Sequence, residues 1–128
     1  MVAAATGGDL ATVRGAVQND PTLVKYTEWE NATLLHDTVG QNHIDVATYL
    51  LEQGADVNAV KTDGVSPLHI AARNGNVEMT RLLLDRGANI NALDGKGWTA
   101  LDRAQKWGHQ DEAKFLRQHG GHEGTAGH

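Results

Sequence analysis

A chain of 128 residues with formal net charge −5, carrying 16 Asp and Glu against 11 Lys and Arg, is sized for one compact domain. It lacks the cationic excess that a phosphate backbone demands, so nucleic acid is not an expected partner. It has no cysteine, which excludes disulfides, thiolate zinc sites and cysteine nucleophiles and fits a cytoplasmic protein. No apolar run approaches membrane-spanning length, and the opening "MVAAATGGDL" has no basic flank of the kind a signal peptide carries.

The elements, in chain order, are short helices in pairs. Residues 1–27 form a faint first unit, in which "GGDLATVRGAV" lines up with the later "NGNVEMTRLLL" once Gly8 is set against Gly75. Residues 28–60 form the second. Thr33 is placed to cap a helix carrying Leu35, and a second helix carries Leu50 and Leu51 before Gly54 ends it. Residues 61–93 form the third and clearest. Ser66 is an N-cap, Pro67 takes the first helical position, where a missing N–H costs nothing, and Leu68, Ala71 and Ala72 follow at helical spacing. Gly75 offers a left-handed stop. A second helix then presents Val77, Thr80, Leu83 and Leu84 on one face.

Residues 94–121 form the fourth, with Thr99 as cap and more polar helices, as suits a terminal unit with one side in water. Asp111 and Glu112 there read as a solvated face. Residues 122–128, "HEGTAGH", read as a flexible Gly/His tail.

A constant spacing underlies these units. Gly64 and Gly97, Leu68 and Leu101, Ala71 and Ala104, Gly75 and Gly108, and Leu83 and Leu116 are each 33 residues apart. "LLEQGADVNA" and "LLDRGANINA" align without a gap. Helices of two or three turns are not stable alone in water, so each must bury its apolar face on a neighbouring unit.

The stretch "DGVSPLHIAARNGNVEMTRLLLDRGANINA" resembles the ankyrin repeat, with its T-P-L-H-x-A signature and 33-residue period. The resemblance covers Asn31–Gly121 firmly and Val2–Glu30 loosely. It implies an all-α solenoid of stacked helix-turn-helix units joined by β-hairpin-like turns. It also implies a concave face of hairpin tips and first helices that binds another protein. The chain departs from the signature at Leu34 and Ala100, which stand for Pro, and at Asn42, which stands for the helix-ending Gly. Asp102 stands for the His.

The histidines follow the register. His36 and His69 sit three residues after Thr33 and Ser66, where a polar side chain reaches back to the cap; Asp102 stands likewise behind Thr99. A residue that recurs once per unit and is exchanged for Asp has an architectural role, so no catalytic residue is assigned. His119, His122 and His128 near the tail lack the fixed ligand set a zinc site needs, so no metal or other cofactor is expected.

The non-repeating positions on hairpin tips and first-helix edges are those free to specify a partner. They are Trp29, Glu30 and Gln41 in the second unit, Thr62, Asp63, Val65, Arg73 and Asn74 in the third, and Lys96, Trp98, Lys106 and Trp107 in the fourth. All three tryptophans of the chain fall among them. The sequence thus reads as a monomeric, non-catalytic module for binding another protein. The alternative is a scaffold, engineered stack or fragment with no dedicated partner.

Overall fold

The computed structural model describes residues 10–20 and 32–124. Over these residues the regular elements are all helices, joined by turns, and no strand forms. The helices are α1 (Leu10–Asn19), α2 (Leu34–Gly40), α3 (Ile44–Glu52), α4 (Pro67–Asn74), α5 (Val77–Asp85), α6 (Ala100–Lys106) and α7 (Gln110–Gln118). First helices of successive units pack in one row, α2 on α4 on α6, and second helices in another, α3 on α5 on α7. Helix α1 packs on α3 and so belongs to the second row. The result is a two-layer helical solenoid.

The 33-residue frame is written in backbone hydrogen bonds as well as in residue types. At the turn inside each pair, His43 N–H donates to the Thr38 carbonyl at 3.1 Å, Asn76 to Ala71 at 3.1 Å and His109 to Ala104 at 2.9 Å. At the end of each second helix, Ala55 donates to Leu50 at 3.0 Å, Ala88 to Leu83 at 3.0 Å and Gly121 to Leu116 at 2.8 Å. Carbonyls left over at helix ends are thus satisfied the same way three times. Turn residues Asn42, Gly75 and Gly108 all take the left-handed conformation, with φ of 59°, 72° and 75°. Asn42 carries a Cβ there that glycine lacks. Asn42→Gly is expected to raise stability by about 0.5–1 kcal/mol, read as a higher urea midpoint with unchanged slope.

The core is a continuous apolar column between the two rows. Leu35, Leu68 and Leu101 repeat through it, as do Leu83 and Leu116, with Ala47 packed among them, all essentially without solvent exposure. A second cluster joins α1 to the stack through Val13 and Val17 against Leu34, Val46 and Leu50. Burying one such side chain contributes about 1.5–3 kcal/mol. The Arg14 guanidinium lies 5.1 Å from the centre of the Tyr49 ring at this junction.

Two expectations about helix faces need correction. The buried stripe of α5 runs through Met79, Thr80 and Leu83, whereas Val77 and Leu84 are half-buried. More consequentially, Glu112 is not on a solvated face: its exposure is 0%. It lies 33 residues after Met79 and 66 after Val46, both of which also have 0% exposure. It therefore occupies a core position of the repeat, on the inner face of α7. The Thr80 hydroxyl donates to its Oε2, while its Oε1 has no hydrogen-bond partner in the structure.

Residues 122–124, expected within a flexible tail, continue the frame instead. Asn58 donates through its side-chain amide to the Gly87 carbonyl at 3.1 Å and accepts from Asn89 N–H at 2.8 Å. Asn91 repeats both contacts one unit later, to the Gly120 carbonyl at 3.2 Å and from His122 N–H at 3.0 Å. The Thr99 hydroxyl donates to the His122 carbonyl at 2.8 Å, and Gly124 N–H donates to Asp102 Oδ2 at 2.8 Å. A glycine-rich composition conceals these contacts because they are made by backbone groups. Residues 125–128 lie outside the described residues.

Candidate functional site

The site is built on two hairpin turns held against the first helices. In the first, Lys61 N–H donates to the Val65 carbonyl at 3.0 Å, and Asp63 Oδ1 accepts from Val65 N–H at 3.1 Å. In the second, Asp94 N–H donates to the Trp98 carbonyl at 2.9 Å, and Asp94 Oδ1 accepts from Lys96 and Trp98 N–H at 2.9 and 3.1 Å. The tips stack through Gly95 N–H, which donates to the Asp63 carbonyl at 2.8 Å. A Cβ on Gly64 would come within 2.6 Å of Gly95 N, so this approach requires glycine.

The histidines tie each helix to the next hairpin. Thr33 and Ser66 oxygens accept from the backbone N–H of His36 and His69, and each imidazole Nδ1 accepts in return from the cap's own N–H. With Nδ1 accepting, Nε2 carries the proton. His36 donates it to the Val65 carbonyl at 3.0 Å and His69 to the Trp98 carbonyl at 2.8 Å. Burial pushes both pKa values below the ordinary histidine range, outweighing the favourable carbonyl contacts. Both rings are neutral struts. In the fourth unit Thr99 and Asp102 form the same reciprocal box. There Asp102 accepts a backbone N–H, from Gly124, where the histidines donate to a carbonyl.

Asp94 anchors the second hairpin from below. Its Oδ2 takes the Arg103 Nε at 3.0 Å and a further, closer contact from the same guanidinium. Burial by itself would raise the Asp94 pKa; hydrogen bonds from Arg103, Trp98 and Lys96 outweigh it and hold the carboxyl below its ordinary range. Arg103 also lies 4.9 Å from the centre of the Trp98 ring, and Lys106 Nζ lies 5.3 Å from it.

Between the hairpins and first helices runs a groove of about 490 Å³. Six of the residues expected to meet a partner line it together: Gln41, Asp63, Val65, Arg73, Asn74 and Lys96. Thr62 is exposed at the hairpin tip and does not line the groove. Trp98 is half-buried beneath its two cations. Lys106 is exposed at the end of α6, and Trp107, 55% exposed, follows it as the C-cap. Trp29 and Glu30 lie outside the described residues.

The groove also contains residues the sequence reading passed over. Asp37, Ile70 and Arg103 stand at one register position in three successive units, as acid, apolar and base. Their non-identity at a fixed position was the signal available. Among the described residues no group of three His, Cys, Asp or Glu is arranged to hold a metal ion. No helix there is long and apolar enough to cross a membrane.

Comparison with known proteins points to one family. The family model "Ankyrin repeat" matches residues 30–62, and "Ankyrin repeats (many copies)" matches residues 50–104. Among curated proteins, the chain is 47% identical over 51 residues to serine/threonine-protein kinase VIK of Arabidopsis thaliana, covering 40% of this chain and 12% of the kinase. It is 35% identical over 68 residues to alpha-latrocrustotoxin-Lt1a of Latrodectus tredecimguttatus, covering 53% of this chain and 5% of the toxin. It is 38% identical over 60 residues to palmitoyltransferase akr1 of Schizosaccharomyces pombe, covering 47% of this chain and 9% of that protein. The chain thus spans a small fraction of the length of these relatives, which differ widely in the activities their names carry. The recurring frame, the helix pairs and both family matches agree, and the chain belongs to the ankyrin repeat family.

Proposed function

We propose that this chain is a non-catalytic protein-interaction module that binds a partner protein in the groove between its hairpins and first helices. The observation that carries this reading is the groove's construction. Its frame residues repeat and are buried, whereas the residues lining its open side differ from unit to unit. A surface that holds position while varying identity is suited to recognition. Mixed charges and half-buried apolar groups fit a protein epitope with a polar rim. We assign Trp98 and Trp107 to the rim at the fourth-unit end, and take the module to act as a cytoplasmic monomer.

A second reading has a specific observation behind it. The relatives carry the matched repeats within much longer chains, with at most 12% of their length covered here. On that reading the module serves to present or recruit for another activity, still through the groove.

The test is which face a partner touches. A photoreactive side chain replaces Asn74, which lines the groove, or Glu78, exposed on α5 in the other helix row. Cross-linking to a partner is expected from position 74 and not from 78.

A further inference from the structure

The groove has an electrical direction along the stack. Three rows of equivalent positions run along it, and in each the last member is more positive than the first. The row 37, 70, 103 reads Asp, Ile, Arg; the row 40, 73, 106 reads Gly, Arg, Lys; the hairpin-tip row 63, 96 reads Asp, Lys. Arg103 is matched by Asp94 beneath it. Arg73, Lys96 and Lys106 are not so matched: among the described residues none of them has a carboxylate within ion-pairing distance. All three are exposed, on a chain whose net charge is −5. Anionic side chains dominate the chain as a whole, so Arg73 and Lys96 in the groove lining, with Lys106 beyond them at the end of α6, form a local inversion of that field. Trp98 and Trp107 flank the same end.

Resting on the reading of the groove as a partner site, we infer that its occupant is an extended acidic peptide segment laid with its carboxylates toward the fourth unit. Arg73, Lys96 and Lys106 meet the carboxylates. Asp37, in the second unit, repels them at the other end, which fixes the direction of the segment. A nucleic-acid strand fits this surface less well. It carries charge along its whole length and would run over Asp37 and Asp63, and three cations offer few phosphate contacts. Attraction of this kind falls steeply with added salt, because the charges are exposed to solvent.

The experiment follows backbone amide resonances of the full chain on titration with blocked synthetic peptides. One peptide has a Glu/Asp-rich half and a Gln/Ser half; others are its all-neutral and Lys-rich counterparts; a single-stranded oligonucleotide is included. The acidic peptide is expected to shift residues along the groove. Arg73→Glu with Lys96→Glu, shown folded by circular dichroism, is expected to weaken it at least tenfold. A paramagnetic tag on the acidic half is expected to broaden Lys96 and Lys106 and to spare Asp37. Raising salt on the unaltered chain gives the same information should that variant fail to fold, and affinity is expected to fall severalfold. Stronger groove shifts with the Lys-rich or neutral peptide, equal binding of the oligonucleotide, or broadening at Asp37 would overturn the acidic assignment while leaving the groove as the site. No shift with any peptide also overturns the assignment; the groove reading itself then falls only if cross-linking from position 74 fails as well.

Discussion

His69→Ala is expected to lower stability by about 3 kcal/mol, within the 2–5 kcal/mol that buried truncations cost. The ring has 2% exposure and makes contacts in two directions. Nδ1 satisfies the Ser66 N–H and hydroxyl, and Nε2–H satisfies the Trp98 carbonyl. Truncation leaves these groups without their partner and opens a void between two units. Urea denaturation should show a lower midpoint. His69→Asp separates the two halves of the role. It keeps the reach back to the cap, as Asp102 does, but cannot donate to the Trp98 carbonyl, and its loss should be smaller. The same geometry sets a pH dependence. Burial depresses the native pKa of His36 and His69 below the ordinary histidine value of 6.5, so the folded chain binds fewer protons than the unfolded chain. Their contribution is complete above 6.5 and is lost as pH falls below that value through the lower native pKa. The urea midpoint should therefore fall between about pH 7.5 and pH 5.5, and less so in His69→Ala.

The second large effect has the opposite sign. Glu112→Met is expected to stabilise the chain by about 1–3 kcal/mol at neutral pH. The carboxylate occupies the place that Met79 and Val46 fill in earlier units, fully buried and hydrogen-bonded through one oxygen. Burial raises its pKa, against the hydrogen bond from Thr80 and the field of His109. With a native pKa above 4.5, folding takes up a proton at this site. Its ionisation cost is absent at low pH and grows as pH rises from 4.5 through the native pKa. Glu112 and the buried histidines thus pull the pH profile in opposite directions, and removing Glu112 should leave the histidine slope alone. Glu112→Gln keeps an acceptor for Thr80 and removes the charge, so it should flatten the alkaline side in the same way. A lower urea midpoint for both variants at neutral pH would show that the carboxylate supports the third and fourth units, contrary to this account.

The features legible in the sequence were those fixed by local chemistry. A cap residue followed by a polar side chain at the third helical position has one economical use, and Thr33, Ser66 and Thr99 all show it. Asn42 was legible because few residues other than glycine accept a left-handed turn. Glu112 was misread because its neighbours are polar, and composition outvoted register. Counting back 33 residues to Met79 places it in the core without any structure. Helix phase was misread at Val77 and Leu84 for a related reason: apolar residues mark both the core and the contact with the next unit. Half of the residues expected to meet a partner converge on the groove because hairpin and helix-edge positions are set by the frame. What spacing could not convey was side-chain direction. The position of Trp98 depends on Arg103 and Lys106, which reach it from α6.

The most direct test of the central claim is the cross-linking comparison between positions 74 and 78, made on chains with matched circular dichroism. Capture of one partner from position 74 alone would place recognition in the groove between hairpins and first helices. Capture from position 78 with none from 74 would move it to the α5 face and contradict the account.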